Sequence, residues 1–200
     1  MRKPNLLFPT PVWTTQVNNY KFINEEMYDF IKSEQTKDQV GINKSNVKGW
    51  HSKDFDLERN KPQRFISFIL PAIEKVMLDM NWEKEKQIVK INNMWAIINT
   101  GGAANLRHQH GNSTISGAYY VRAPHKCGDI VFYDPRPAPV YSHPNIKAPN
   151  FLNAQVNGIS PKEGALVLFP SYLDHSVNEN LSNEERIVIS FNITIQIKSN

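Results

Sequence analysis

From Gln87 to Ile197 the chain falls into short runs rich in β-branched and aromatic residues, separated by Pro and Gly clusters. The runs lie at about 87–99, 113–122, 129–134, 152–157, 164–169 and 186–197. Such side chains suit a pleated, half-buried surface. Many short strands with turn residues between them favour a sandwich or a barrel. The tract Asp134-Pro135-Arg136-Pro137-Ala138-Pro139 and the loop to Asn150 interrupt the series.

The first 86 residues read differently. Asn24 before Glu25-Glu26 is an N-cap with acids in the first turn, and Met27, Phe30 and Ile31 keep helical spacing, which predicts a helix over about 24–35. Phe65, Ile69, Ile73, Val76, Met77 and Met80 repeat every three or four residues and predict a second helix. Pro62 suits its first turn, and Pro71 should kink or split it. Leu6-Leu7-Phe8 and Val12 to Val17 read as two short strands around Pro9-Thr10-Pro11, and Thr36 to Asn60 as a long irregular connection. The chain thus reads as one domain over 1–200, mainly β with flanking helices. Residues 1–86 give N-terminal strands and a helical support layer; residues 87–200 give the β core. Two hundred residues suit one domain with a sizeable core.

Charge narrows the partners. Residues 1–100 carry 15 Lys/Arg against 12 Asp/Glu, and residues 101–200 carry 8 against 7. So thin and spread an excess argues against nucleic acid, which needs a clustered basic face. It leaves room for a small-molecule or peptidyl partner held by one or two local cations. Cys127 is the only cysteine, so no intrachain disulfide forms, which fits a reducing cytoplasm. The basic start at Arg2-Lys3 leads an apolar run that stops at Pro9, too short for a signal peptide. No apolar segment approaches the ~20 residues that span a bilayer, so no membrane partner is expected. The oligomeric state stays open, a homodimer included.

The candidate chemistry lies in the histidines. His108-x-His110 precedes the strand-like run ending Tyr119-Tyr120-Val121. In a strand, residues two apart point to one side, so both imidazoles can aim at one point. Imidazole is the commonest side-chain metal ligand. His175 follows the apolar run Ala165–Phe169 and the turn Pro170-Ser171, and Arg186 heads the run Ile187–Phe191. His51, His125 and His143 show no such pattern and read as surface or core residues; Trp95 reads as core. On these residues alone, a metal site and an incidental set of histidines stand level.

A resemblance tips the balance. His108-Gln109-His110, Ser116-Gly117-Ala118-Tyr119-Tyr120, Asp134-Pro135-Arg136, Gly164-x4-Phe169-Pro170-Ser171, His175 and Arg186-x3-Ser190-Phe191-Asn192 together resemble the 2-oxoglutarate/Fe(II)-dependent oxygenases. The set is most similar to a bacterial and phage group related to prolyl 4-hydroxylases, and it covers about 90–197. The resemblance implies a double-stranded β-helix, a cupin-like jelly roll, in agreement with the strand count. It implies Fe(II), 2-oxoglutarate and O2 as cofactors, with His108 and His175 as ligands and His110 where the family usually has a carboxylate. That departure leaves the metal one positive charge richer. The resemblance also implies that Arg186 takes the distal carboxylate of 2-oxoglutarate through its planar fork, with Ser190 on the same strand face. Position 188, where Arg-x-Ser would place Ser, is Val. Tyr120 resembles the tyrosine that assists this carboxylate, and Asn105 is a candidate to orient cofactor or substrate. The implied reaction couples oxidative decarboxylation of 2-oxoglutarate to oxidation of a substrate C–H bond, by default hydroxylation. The Arg136–Asn150 loop and the Thr36–Asn60 connection would bound the substrate. Two other readings compete: a three-histidine cupin-like dioxygenase that does not use 2-oxoglutarate, and a non-catalytic jelly-roll binding module.

Overall fold

The computed structural model describes residues 3–136 and 144–198. Pro137, Ala138, Pro139 and His143 lie outside the described residues. In chain order the elements are β1 (Trp13–Gln16), α1 (Tyr20–Lys37), β2 (Asn46–Val47), β3 (Trp50–His51), α2 (Asn60–Asp79), a 3-10 turn (Lys84–Lys86), β4 (Gln87–Asn99), β5 (Ala104–His108), β6 (Ile115–Arg122), β7 (Ile130–Tyr133), β8 (Val156–Ile159), β9 (Ala165–Pro170), β10 (His175–Val177) and β11 (Arg186–Ile197). Two antiparallel sheets result: a six-stranded sheet in the order β1-β9-β6-β11-β4-β3 and a five-stranded sheet in the order β2-β5-β10-β7-β8. This is the jelly roll that the resemblance implies.

The larger sheet is covered on both faces. Alternate residues of a strand face opposite ways. From β6 and β11, Ile115, Tyr119, Val121, Ile187, Ile189, Phe191 and Ile193 pack with Ile23, Met27 and Ile31 of α1 and with Phe65, Ile69 and Ile73 of α2. The intervening Ala118, Tyr120 and Val188 turn inward to Ile130 and Phe132 of β7, Phe169 of β9 and Leu173. Burial on both faces explains why these strands are nearly continuous apolar runs instead of alternating ones.

Several expectations need correction. Leu6-Leu7-Phe8 forms no strand and stays exposed. α1 begins at Tyr20, not near Asn24, and its N-cap is Asn19 in the left-handed region. Asn24 lies buried inside the helix, where Oδ1 accepts a hydrogen bond of 2.6 Å from the Tyr119 hydroxyl. A polar side chain there satisfies the sheet, and only secondarily resembles a cap. α2 runs unbroken through Pro71. Pro71 and Ser67 both lie on the exposed face, so the Ser67 carbonyl that loses its N–H partner is left to water. The Thr36–Asn60 connection is not wholly irregular, since β2 pairs with β5 and β3 pairs with β4. The strand expected at 152–157 lies at Val156–Ile159. Among the described residues, no helix is long and apolar enough to cross a membrane.

The Tyr119–Asn24 bond ties α1 to the sheet inside the core. Burial raises the Tyr119 pKa, so the phenol stays a neutral donor. Among the described residues Asn24 Nδ2 has no partner, so losing the phenol would leave the whole amide unpaired. Tyr119→Phe should therefore destabilise the protein by about 1–3 kcal/mol, read as a lower urea midpoint. Adding Asn24→Leu should recover most of the loss, because both polar partners are then gone.

Candidate metal centre and cofactor cavity

The short β10 strand does the local positioning. It pairs antiparallel with β5, setting His175 opposite His108, and with β7, setting His175 beside Phe132. β5 ends at His108, so His110 does not reach the site by strand alternation as expected. Instead its backbone N–H donates to the Ser171 carbonyl at 2.9 Å. That bond ties the chain leaving β5 to the turn that leads into β10. The three histidines meet there, each offering a ring nitrogen, with all of these atoms within 4.8 Å of one another.

Hydrogen bonds decide which nitrogens are presented. His108 Nδ1 lies 2.7 Å from the Leu106 carbonyl, and His175 Nδ1 lies 3.0 Å from the Leu173 carbonyl. A carbonyl only accepts, so each Nδ1 carries the proton and each Nε2 presents a lone pair. His110 has no side-chain hydrogen bond among the described residues. Its ring is held by packing, with centroids 5.8 Å from Trp95 and 5.1 Å from both His108 and His175. Burial lowers all three pKa values. His110 falls to about 3, with His175 and His108 adding repulsion. His175 falls to about 4, through burial and then His108. His108 is lowered by burial, with the Leu106 bond and Asp174 opposing. At neutral pH the cluster is three uncharged imidazoles. That donor set fits a divalent first-row metal with positions left for other ligands.

The cluster opens into a cavity of about 710 Å³. Arg186, Val188, Ser190 and Asn192, alternate residues of β11, all line it. At ~3.3 Å per residue they extend along it for roughly 20 Å. Register places Asn99 beside Arg186, Trp95 beside Ser190 and Asn93 beside Asn192. Trp95, level with Ser190, packs on His110, and Phe169, level with Ser116 and Asn192, packs on His175 at 4.6 Å, so the cluster sits toward the Ser190–Asn192 end and Arg186 lies at the other.

Arg186 is 1 % exposed. Its Nη1 donates to the carbonyls of Cys127 at 2.6 Å, Gly128 at 3.2 Å and Asn178 at 3.4 Å. The Gly128 turn has φ +89°, and a Cβ there would meet the Asn178 carbonyl oxygen at 2.2 Å, so the turn requires glycine. No carboxylate bonds Arg186 among the described residues, and Nε and Nη2 carry no hydrogen bond. Burial lowers its pKa, opposed by Tyr120 and Cys127, but guanidinium remains charged. Tyr120 lines the same end; burial raises its pKa, opposed by Arg186, and its hydroxyl has no hydrogen bond among the described residues.

Not every expected residue is available. Ser190 lines the cavity. Asn105 also reaches the wall, but its Oδ1 accepts from Asn99 Nδ2 at 3.1 Å and its Nδ2 donates to Ser45 Oγ at 3.3 Å. Its amide is thus tied into the framework joining β2, β4 and β5. Sequence reading missed His51, which is buried, stacks on Trp95 at 5.6 Å and lines the cavity, with Nδ1 2.7 Å from the Ser52 carbonyl. It also missed Asn93 and Trp95 as wall residues. Alternation along β4 would have put Asn93, Trp95 and Ile97 on one face; nothing in the sequence signals His51, because β3 is two residues long.

Residues 93–192 match the family model described as "Putative 2OG-Fe(II) oxygenase". The chain belongs to this family of 2-oxoglutarate/Fe(II)-dependent oxygenases. No curated protein matches it. Among solved structures, this oxygenase is similar to a prolyl-4-hydroxylase from Pseudomonas putida, with 12% identity, TM-score 0.61 and 92% of each chain covered. It is also similar to the viral collagen prolyl hydroxylase of Paramecium Bursaria Chlorella virus-1, with 13% identity, TM-score 0.59, and 91% of this chain and 94% of that chain covered. A third is HygX from Streptomyces hygroscopicus, with 9% identity, TM-score 0.61, and 92% and 83% covered. At these identities the likeness is one of fold. The family uses Fe(II), 2-oxoglutarate and O2, and the three-imidazole donor set fits the iron.

Two outcomes follow for this oxygenase. His108→Ala and His175→Ala should each lose stoichiometric Fe(II) in anaerobic calorimetry, whereas His110→Asp should keep it, since carboxylate serves in such sites. Full occupancy in His175→Ala would remove that residue from the ligand set. The metal-free protein should also lose stability as pH falls. Unfolded histidine takes up a proton near 6.5, but folded His175 does so only near 4 and His110 near 3. Between those values the unfolded chain binds more protons, so acid favours it. Comparing urea midpoints at pH 7 and 5, His110→Gln should show a shallower fall than the parent.

Proposed function

We propose that this oxygenase hydroxylates a C–H bond of a small-molecule or peptidyl substrate, with His108, His110 and His175 holding Fe(II) and Arg186 anchoring 2-oxoglutarate. The observation that carries the reading is Arg186: a buried cation, bonded among the described residues only to carbonyls, in the same cavity as the histidine cluster. A buried charge without a counter-ion is costly, and a ligand carboxylate supplies one. A dioxygenase that dispenses with 2-oxoglutarate would have no use for it, and a binding module would need neither group.

Each residue then has a task. Nη1 of Arg186, fixed by three carbonyls, sets the plane of the guanidinium and leaves its other donors for the distal carboxylate. The Tyr120 hydroxyl, kept neutral by burial, can donate to the same carboxylate. Ser190 adds a hydroxyl between Arg186 and the histidines. Val188, Ile130 and Phe169 exclude water along the cofactor, strengthening each of these contacts. Fe(II), when bound, supplies O2 activation driven by decarboxylation of 2-oxoglutarate. The wall beyond it, with His51, Trp95, Asn93 and Gln109, positions the substrate. α1 and α2 share one hydrophobic cluster with β4, β6, β9 and β11, which supports residues 1–200 as one domain. The free thiol of buried Cys127 supports a cytoplasmic location.

Titrating 2-oxoglutarate into the Fe(II)-loaded protein without O2 tests the reading, through a weak visible charge-transfer band and a thermal shift. Absence of both in the parent protein would refute it. Arg186→Ala should weaken 2-oxoglutarate by roughly 30-fold or more, from the ~2–5 kcal/mol lost when one member of a buried charge pair is removed. Arg186→Lys should recover only part, because an ammonium lacks the fork. Fe(II) affinity should barely change in either variant.

A further inference from the structure

The metal-binding end of the cavity holds an unbalanced charge. Among the described residues lining the cavity, the charged groups at its mouth are Lys44, Lys53, Arg107 and Asp54. Lys53 pairs with Asp38 at 3.2 Å and Arg107 with Asp174 at 2.6 Å, which leaves Lys44 against Asp54, a balanced rim. Inside, among the described residues, Arg186 is the one charged side chain, and the histidines are neutral. With a carboxylate in the ligand set, a divalent ion, Arg186 and doubly charged 2-oxoglutarate would sum to zero. With His110 in that place, the loaded site keeps one positive charge. Among buried side chains such as Tyr120, Phe169 and Arg186, that charge attracts an anion more than it would in open solvent.

A polar chain on the wall points the same way. Ser116 Oγ lies 2.8 Å from Ser171 Oγ and donates to Asn192 Oδ1 at 2.7 Å; Asn192 Nδ2 then donates to Asn93 Oδ1 at 3.1 Å. Ser116, Ser171 and Asn192 are all buried. With its Oδ1 taken, Asn93 keeps both Nδ2 hydrogens unspent among the described residues. Asn93 lines the cavity beside Asn192, at the end that holds the histidines and away from Arg186. The chain therefore fixes a donor, not an acceptor, where a substrate enters.

We infer that the substrate of this oxygenase is an anion, received between the metal-binding histidines and the Asn93 amide. Its chemical class is a carboxylate or a similarly charged oxyanion, on a small molecule or an acidic peptide side chain. The inference rests on the reading of the metal and 2-oxoglutarate sites above and names the substrate that those sites select.

The test compares acetate with acetamide, its uncharged isostere, on Co(II)-substituted protein loaded with 2-oxoglutarate at constant ionic strength. Binding is read from the Co(II) absorption bands and from the thermal shift. Acetate should bind more tightly by roughly tenfold or more, equivalent to about 1.4 kcal/mol. Asn93→Asp keeps the bond from Asn192 but replaces the donor with a negative charge, so the preference should vanish while Co(II) and 2-oxoglutarate still bind. His110→Asp should also abolish it. Chloride and azide form a second arm: if they displace acetate at lower concentration than acetate itself requires, the anion is an inorganic metal ligand, and the assignment to substrate is overturned. Equal binding of acetate and acetamide, no acetate binding at 100 mM, or a preference that survives both variants would also overturn it. Failure of 2-oxoglutarate to bind the parent would instead bring down the earlier reading. The same acetate comparison on protein with Co(II) alone would then still judge the Asn93 site.

Discussion

The pairing of β4 with β11 carries the rest of the molecule. The two strands run antiparallel from Arg186 opposite Asn99 to Ile197 opposite Gln87, with one irregularity at Asn192/Ile193. One face of that ribbon meets the helices, and the other forms the cavity wall. Strand alternation therefore couples two requirements: Ile187, Ile189 and Phe191 must be apolar for the helices, and Arg186, Ser190 and Asn192 face the cavity. A one-residue slip would bury the arginine under the helices and turn isoleucines toward the histidine cluster. Tight packing guards against it. A Cβ at Gly117, opposite Phe191, would meet that ring at 2.3 Å, so only a residue without a side chain lets the ring lie across β6.

Two kinds of buried polar group share this frame. Those with internal partners, such as Asn105 and Asn180, hold strands and turns together; Asn180 Nδ2 reaches the carbonyls of Asn99 and Glu184, both at 2.8 Å. Others keep unspent capacity among the described residues: Arg186 and Tyr120 at the cavity, and Asn24 Nδ2 and Asn99 Oδ1 outside its lining. Residue type does not separate the two kinds, and location in the cavity does not either, since Asn105 also lines it. Only the list of satisfied donors and acceptors does.

That difference sets how much was legible in the sequence. The long strands were, because β11 is wholly apolar on one face from Ile187 to Ile197 and β4 is rich in β-branched residues. The histidine cluster was, once the family resemblance was added to a pair close in sequence and a third histidine after a strand and a turn. Arg186 was, because it heads a strand. The route by which His110 arrives was not, since it depends on a backbone bond to Ser171 sixty-odd positions away. Asn24 was misread because an asparagine before two glutamates looks like a cap until its partner Tyr119 is known. His51 was invisible because β3 is two residues long and gets its register entirely from β4.

The match to the family model begins at Asn93 and ends at Asn192. It includes all three histidines, Tyr120 and Arg186, but stops short of the wall built by Ile42, Lys44, Ser45, His51 and Asp54. β3 joins the larger sheet as an edge strand, through Trp50–Ile98 and His51–Ile97 alone. One side of the cavity wall thus comes from a length of chain outside the match, joined to the two sheets by β2 on β5 and β3 on β4. Changes there can reshape that side of the mouth while the three histidines, Tyr120 and Arg186 keep their places.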